Sequence, residues 1–353
     1  MHEMKRILVA PLNWGLGHAT RCIPIINSLL ANNFEPIIAS DGQALELLKK
    51  EFPELKAIEL PSYRIEYSKK GKNFKLKMLW DSPKILQAIK KEKKEVDKLI
   101  EKERLNGIIS DNRFGVRSKK VPSVFITHQL NVLTGNTTWL SSKMHQSIIK
   151  KFDECWVPDT EGKPNLSGKL GHLKNSRLPI RYLGPLSRLS KKDLPELYDL
   201  MVILSGPEPQ RGMLEEKLLE EVKKFKGNVL FVKGKVEKEQ TVSRQEQLTI
   251  YNFMDSRELE IAFNESKMVL SRSGYTTVMD LAKLEKKAFF IPTPGQYEQE
   301  YLAKRLKKQG LAPYSSQEKF TLSKLSKVKT YKGFSSFSAE VDYSDLFSLF
   351  HGE

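Results

Sequence analysis

The chain has 353 residues, 59 Lys and Arg against 43 Asp and Glu for a formal charge of +16, and 39% hydrophobic and 9% aromatic residues. This is a globular composition with room for about two domains of ordinary size. Its apolar stretches fall well short of the roughly 18 residues a spanning helix needs, no signal-peptide core follows the basic start, and two cysteines, Cys22 and Cys155, cannot build a disulfide framework or a zinc site, so the expectation is a cytoplasmic chain.

In chain order, short β-branched runs each end in a polar or glycine loop and lead into a helix-length segment. The runs are 7–12, 36–39, 57–60, 107–110, 123–127, 155–157 and 181–183 in the first half, then 201–204, 228–232, 248–251, 268–270 and 288–291 in the second. That alternation is the α/β signature, and two successive doubly wound, Rossmann-like parallel sheets fit it better than one large sheet. Gly184-Pro-Leu-Ser-Arg188 and Lys191-Lys-Asp-Leu-Pro195 interrupt the pattern. The expected organisation is a domain over 1–185, a linker over 186–200, a second domain over 201–332 and a tail with one short helix over 333–353. Open parallel sheets bind ligands beyond the carboxyl ends of their strands, so two such sheets are expected to face a shared cleft.

Charge is uneven along the chain. Residues 64–104 hold 14 Lys and Arg against 7 Asp and Glu, and Tyr63 to Trp80 interleaves aromatic with basic residues, a mixture that suits an anionic membrane surface as well as nucleic acid. A solvated helical face explains Lys84 to Arg104 equally well. No nucleic-acid-binding motif accompanies the charge.

The loop Asn13-Trp-Gly-Leu-Gly-His-Ala-Thr-Arg21 lies between a strand and a helical pattern. Such a turn, at Gly15 and Gly17, aims backbone amides and a helix N-terminus at negative charge. The third glycine of a dinucleotide fingerprint is missing, although Asp41 stands where a nicotinamide enzyme carries its ribose-binding acid. His18 sits at the helix start, where the dipole favours the neutral imidazole that a general base requires; a capping or packing histidine is the plainer alternative. Asp111, after another strand, is placed to orient that ring, or else to cap a turn. His128, ending the next strand, is the rival base.

The second half holds a denser set of loops. Met268-Val-Leu-Ser-Arg-Ser-Gly-Tyr-Thr-Thr-Val-Met-Asp280 reads as strand, tight turn and helix, with Arg272, Ser273 and Gly274 directed at an anion. Asp280 follows on the helix as an acceptor for ribose hydroxyls, and Gln299 and Glu300 close the next loop with groups suited to sugar hydroxyls. Gly206 and Arg211 form a further glycine-proline loop with a candidate phosphate ligand.

With these residues assembled, the sequence resembles the GT-B glycosyltransferases, in the family of the lipid II N-acetylglucosaminyltransferases and diacylglycerol glucosyltransferases. Ser271 to Asp280 and Ala288 to Glu300 are similar to that family's nucleotide-sugar segment, with Asp280 in place of its Glu and Gln299-Glu300 in place of its Gln-Gln pair. Asn252-Phe-Met-Asp255 resembles the segment whose backbone reads the base, making Met254 the implied contact. His128-Gln-Leu-Asn131 resembles an acceptor-side segment, implying His128 and Asn131, and Gly184 to Arg188 resembles an interdomain segment whose arginine lies near phosphate. The resemblance implies inverting transfer from a nucleotide sugar, with UDP as the expected nucleotide, to a hydroxyl acceptor that is lipid-linked or part of a surface polysaccharide. It also implies no metal and no cofactor beyond that donor, and peripheral binding at the inner face of a membrane. Gly17 would join the donor-side glycines, with Arg188, Arg211 and Arg272 around the diphosphate. A nucleotide-sugar epimerase or hydrolase of the same fold and an NAD(P)-dependent oxidoreductase are the alternatives.

Overall fold

The computed structural model describes residues 4–63, 74–235, 237–337, 343 and 345–351, with the backbone alone for 74–85. The chain divides into two compact units: Met1–Lys163 with Ser167–Leu186 and Glu340–Glu353, and Pro164–Leu166 with Ser187–Ala339.

The first unit holds a parallel seven-stranded sheet. Its strands are β1 (Arg6–Pro11), β2 (Glu35–Ser40), β3 (Ala57–Glu59), β4 (Leu105–Asp111), β5 (Ser123–Ile126), β6 (Glu154–Val157) and β7 (Ile180–Tyr182), in the order β3-β2-β1-β4-β5-β6-β7. Its helices include α1 (Gly17–Ala31), α2 (Gly42–Glu51), α3 (Phe74–Glu103) and α4 (Thr138–Ile149). Strand order reverses between β1 and β4, the switch point at which the loops diverge and leave a crevice. Pro11 pairs with Asp111 there, so both strands end level.

In the second unit β8 (Leu200–Ile203), β9 (Val229–Val232), β10 (Val242–Gln245), β11 (Leu248–Tyr251), β12 (Met268–Ser271) and β13 (Lys287–Phe290) stand in the order β10-β11-β9-β8-β12-β13. Helices α5 (Gln210–Val222), α6 (Ser256–Asn264), α7 (Tyr275–Lys283) and α8 (Tyr297–Lys308) follow strands of this sheet. Here the order reverses between β8 and β12. All twelve runs read from the sequence are strands. The unread one, β10, is antiparallel to β11, and all four of its residues are exposed. An edge strand of sequence Val-Ser-Arg-Gln carries no apolar run because it has no core to face.

Residues 345–351, expected within a tail carrying one short helix, belong to the first unit. A short helix, α9 (Ser348–His351), seats Phe350, while Phe347 precedes it, and both rings are buried. Phe347 lies 5.6 Å from Phe34 and 6.1 Å from Trp156, and Phe350 lies 6.5 and 6.4 Å from the same rings. Gly107 on β4 makes room for it: a Cβ there would fall 2.3 Å from Phe350. Truncating Phe350 to Ala should cost about 3–5 kcal/mol through lost burial and the cavity left behind. Urea denaturation followed by tryptophan fluorescence checks this, and an unchanged midpoint would show that the segment is only laid on the surface.

Candidate active site

In the first unit, the switch point gathers side chains from three elements. Gly15, at φ +74°, turns the chain sharply after β1 so that α1 begins at Gly17 with His18 in its first turn. Asp111 ends β4 with no solvent exposure. His18 Nδ1 lies 2.7 Å from Asp111 Oδ1. Arg21, one turn along α1, donates to both carboxylate oxygens of Asp111 through Nε and Nη2. Its Nη1 lies 2.9 Å from Nδ1 of His128, just beyond β5, and its Nη2 lies 2.8 Å from His18 Nδ1.

The electrostatics follow from burial and charge. Burial pushes the Asp111 carboxyl up, but Arg21 and His18 outweigh it and hold it at about 2. It is therefore ionised at neutral pH. Nδ1 of His18 thus has an acceptor, Asp111 Oδ1, and a donor, Arg21 Nη2, both within hydrogen-bonding distance, and both contacts are made by that one ring nitrogen. Burial, followed in effect by Arg21 and His128, brings the His18 pKa down against the pull of Asp111, keeping the ring neutral.

Other first-unit expectations are redirected. Asp41 pairs with buried Arg113 at 2.6 Å and is also reached by Asn13 at 3.3 Å. Arg113 in turn bonds Glu92 at 2.6 Å and the Pro61 carbonyl at 2.6 Å. The acid that supported a nicotinamide reading thus balances a core arginine. Tyr63 belongs to the same network, donating to Glu92, so it is no surface aromatic; the rest of the Tyr63 to Trp80 patch lies outside the described side chains. Asn131 donates to the Lys169 carbonyl at 2.6 Å, stapling two loops, whereas His128 joins the dyad.

In the second unit, the loops after β8, β12 and β13 converge. Gly206 has φ +102°, and a Cβ there would lie 3.9 Å from Thr293 Oγ1. Gly274 is the residue preceding the first turn of α7, and Ser273 Oγ donates to the Gln299 carbonyl at 2.9 Å. Arg272 is fully buried. It donates to the carbonyls of Ile291 and Pro292 at 3.1 Å each, to Gln210 O at 2.8 Å and to Gln317 Oε1 at 2.7 Å. It therefore pins strand ends rather than reaching outward as a phosphate ligand. None of those partners is a carboxylate, and burial lowers its pKa to about 10. Its Nε, Thr293 Oγ1 and Gln210 Oε1 are buried without a hydrogen-bond partner among the described residues.

Asp280, on α7, accepts from Ser187 Oγ at 2.6 Å, with the Arg188 charge nearby; burial raises it to about 6 despite both. Arg188 is thus placed beside the ribose candidate. Arg211 is taken by Glu208 and, at 2.6 Å, by Glu215, which removes it as a phosphate ligand. Gln299 accepts from Thr293 N at 2.8 Å and donates to Gln296 at 2.7 Å, while Glu300 accepts from Gly295 N at 3.1 Å. Both shape their own loop in this structure. Met254 lies in the loop between β11 and α6, immediately before the capping box of Asp255 and Glu258. Arg21 and Thr293 had no role in the sequence reading. The three-residue step from His18 put Arg21 on the same helical face, whereas nothing short of the tertiary fold marks Thr293.

Residues 210–332 match the glycosyltransferase family 28 C-terminal domain. The second unit carries that domain, and the chain has the GT-B fold. The chain is 25% identical over 219 residues to the UDP-N-acetylglucosamine–N-acetylmuramyl-(pentapeptide) pyrophosphoryl-undecaprenol N-acetylglucosamine transferase of Haemophilus ducreyi, a match covering 60% of this chain and 58% of that protein. The Clostridium perfringens protein of the same name is 25% identical over 293 residues, covering 78% of this chain and 75% of the relative. MurG of Acinetobacter baumannii superposes with a TM-score of 0.58 at 13% identity, covering 98% of each chain. The GT-B pairing of two Rossmann-like units therefore extends through residues outside the family 28 domain.

Proposed function

We propose that this GT-B chain is an inverting glycosyltransferase that moves a sugar from a UDP-linked donor to the hydroxyl of a lipid-linked acceptor. The observation that carries the reading is the His18–Asp111 dyad, built at the switch point of one unit of a chain whose other unit is a family 28 C-terminal domain. The relatives' names supply the chemical class of donor and acceptor.

The step is a single displacement. An acceptor hydroxyl oxygen bonds to the anomeric carbon while the bond to the diphosphate oxygen breaks and its electron pair leaves with the nucleotide. The hydroxyl proton passes to Nε2 of His18, and the ionised Asp111 stabilises the imidazolium that results. Charge on the departing diphosphate is met by the N-terminus of α7 at Gly274, by the close backbone approach that Gly206 permits, and by the field of Arg272, whose buried charge has no carboxylate among its partners. Asp280 takes the ribose hydroxyls. Donor and acceptor are substrates, and no cofactor is part of the scheme.

Calorimetry should show saturable UDP binding that weakens as pH falls below about 6, where Asp280 gains its proton. Asp280→Asn should weaken binding about tenfold and flatten that dependence, an order set by one charge-assisted hydrogen bond. Failure of UDP to bind, or equal binding of every nucleotide tried, would contradict the donor assignment.

The membrane part rests on α4. Among the described residues no helix is long and apolar enough to cross a membrane. Yet α4 exposes Trp139 by 68%, Leu140 by 53% and Met144 by 61%, with the Lys143 ammonium 4.3 Å above the Trp139 ring and Lys150 and Lys151 beyond its end. Amphipathic aromatics beside lysines suit an anionic interface. Co-sedimentation with phosphatidylglycerol vesicles should be salt-sensitive and should fall several-fold in a Trp139→Ser, Met144→Ser variant. Equal sedimentation of the variant would remove α4 from the reading.

A further inference from the structure

From Ser187 onward, the stretch expected as a linker belongs to the second unit. Its first residue meets the acid that takes the ribose: Ser187 Oγ donates to Asp280 Oδ1 at 2.6 Å. We propose that Ser187 is a positioning residue for the nucleotide, which ties the Asp280 carboxylate at Oδ1 and leaves Oδ2 to accept from a ribose hydroxyl. This rests on the transferase reading and deepens it, extending the ribose site to a residue that acts through Asp280.

The direction of the hydrogen bond is set by the serine's other neighbour. Leu189 N donates to Ser187 Oγ at 3.0 Å and so occupies a lone pair of the hydroxyl. The hydroxyl's one proton is then committed to Asp280, because an ionised carboxylate has nothing to donate. Oδ2 takes no hydrogen bond among the described residues. Rotation about the last torsion of an aspartate is soft. Tying one oxygen therefore fixes the direction in which the other presents its lone pairs.

Ser187 can hold the acid because its own stretch is held. Ser190 N donates to Glu260 at 2.7 Å and Lys192 N to Asn264 Oδ1 at 2.9 Å, while Asn264 Nδ2 donates to the Ser190 carbonyl at 2.9 Å. Lys191 pairs with Glu285, and Lys192 with Glu260. Residues 187–192 are thus fastened to α6 and to the turn that follows α7, the helix carrying Asp280. The hydroxyl arrives from a braced backbone and not from a free loop.

The same hydrogen bond bears on charge. Burial raises the Asp280 carboxyl to about 6, and the Ser187 hydrogen bond, followed by the Arg188 charge, opposes that rise. Ribose binding needs the ionised acid, so affinity is full above this value and is lost as pH falls through it. Removing the hydroxyl removes an opponent of burial and moves that loss to higher pH.

The test is carbon-13 NMR of the aspartate carboxyls across pH on the whole protein, with UDP calorimetry on the same samples; the signal missing from Asp280→Asn identifies Asp280. In Ser187→Ala, the Asp280 titration and the midpoint of UDP-affinity loss should rise together by about one pH unit, the size of one hydrogen bond to a charged group. Ser187→Thr keeps the hydroxyl and should restore both. Glu260→Ala loosens the stretch without touching Asp280 and should leave both in place. An Asp280 titration unmoved in folded Ser187→Ala, or moved equally by Glu260→Ala, overturns the proposal. If wild-type protein binds no UDP, the donor reading fails and takes the ribose role with it, while the carboxyl titrations still decide whether Ser187 governs Asp280.

Discussion

A carboxylate buried at the end of a central strand must be charge-balanced, and in this protein that constraint organises the first unit's site. Asp111 has no exposed surface, and leaving it unpaired would cost several kcal/mol. Arg21 and His18 supply the balance, and both come from the helix that begins immediately after β1. Because β1 and β4 are adjacent and end level at Pro11 and Asp111, the first turns of α1 fall beside the carboxylate. The topology therefore places His18 beside the carboxylate, and the buried charge keeps it there.

The second unit meets the same requirement differently. Arg272 is as deeply buried as Asp111, yet its hydrogen bonds go to three carbonyls and one amide oxygen, so its charge is solvated by dipoles and not neutralised. A site built this way holds positive potential at the ends of β8, β12 and β13 without a side chain reaching out. Anion binding there would relieve the uncompensated charge. Arg211, by contrast, is neutralised by Glu208 and Glu215, so two arginines in similar loops end in different electrostatic states.

Much of this was legible in the sequence because parallel strands buried on both faces must be written as short apolar runs, and the loops after them must hold the polar residues. His18 and Asp111 were readable as a pair since both follow such runs. The hidden parts were those set by tertiary partners. Nothing local marks Arg21 as the partner of Asp111, and the ribose-acid reading of Asp41 fails because Arg113 reaches it from a distant loop. Gln299 and Glu300 have the chemistry of sugar readers but are turned onto Thr293 N and Gly295 N by the curl of their own loop. The aromatic residues of the last segment belong to the first unit's core because Gly107 left a space for them, a relation across the chain's length that no local pattern expresses.

The central claim is that Asp111 serves the chemistry through His18 while the donor is held by the second unit. Its most direct measurement is steady-state sugar transfer by Asp111→Asn, with UDP affinity determined on the same sample by calorimetry. The account predicts that kcat falls by about 10²–10⁴ while the UDP dissociation constant stays within about twofold, because the described side-chain partners of Asp111 belong to the first unit. Turnover within a few-fold of wild type in a folded protein would contradict it.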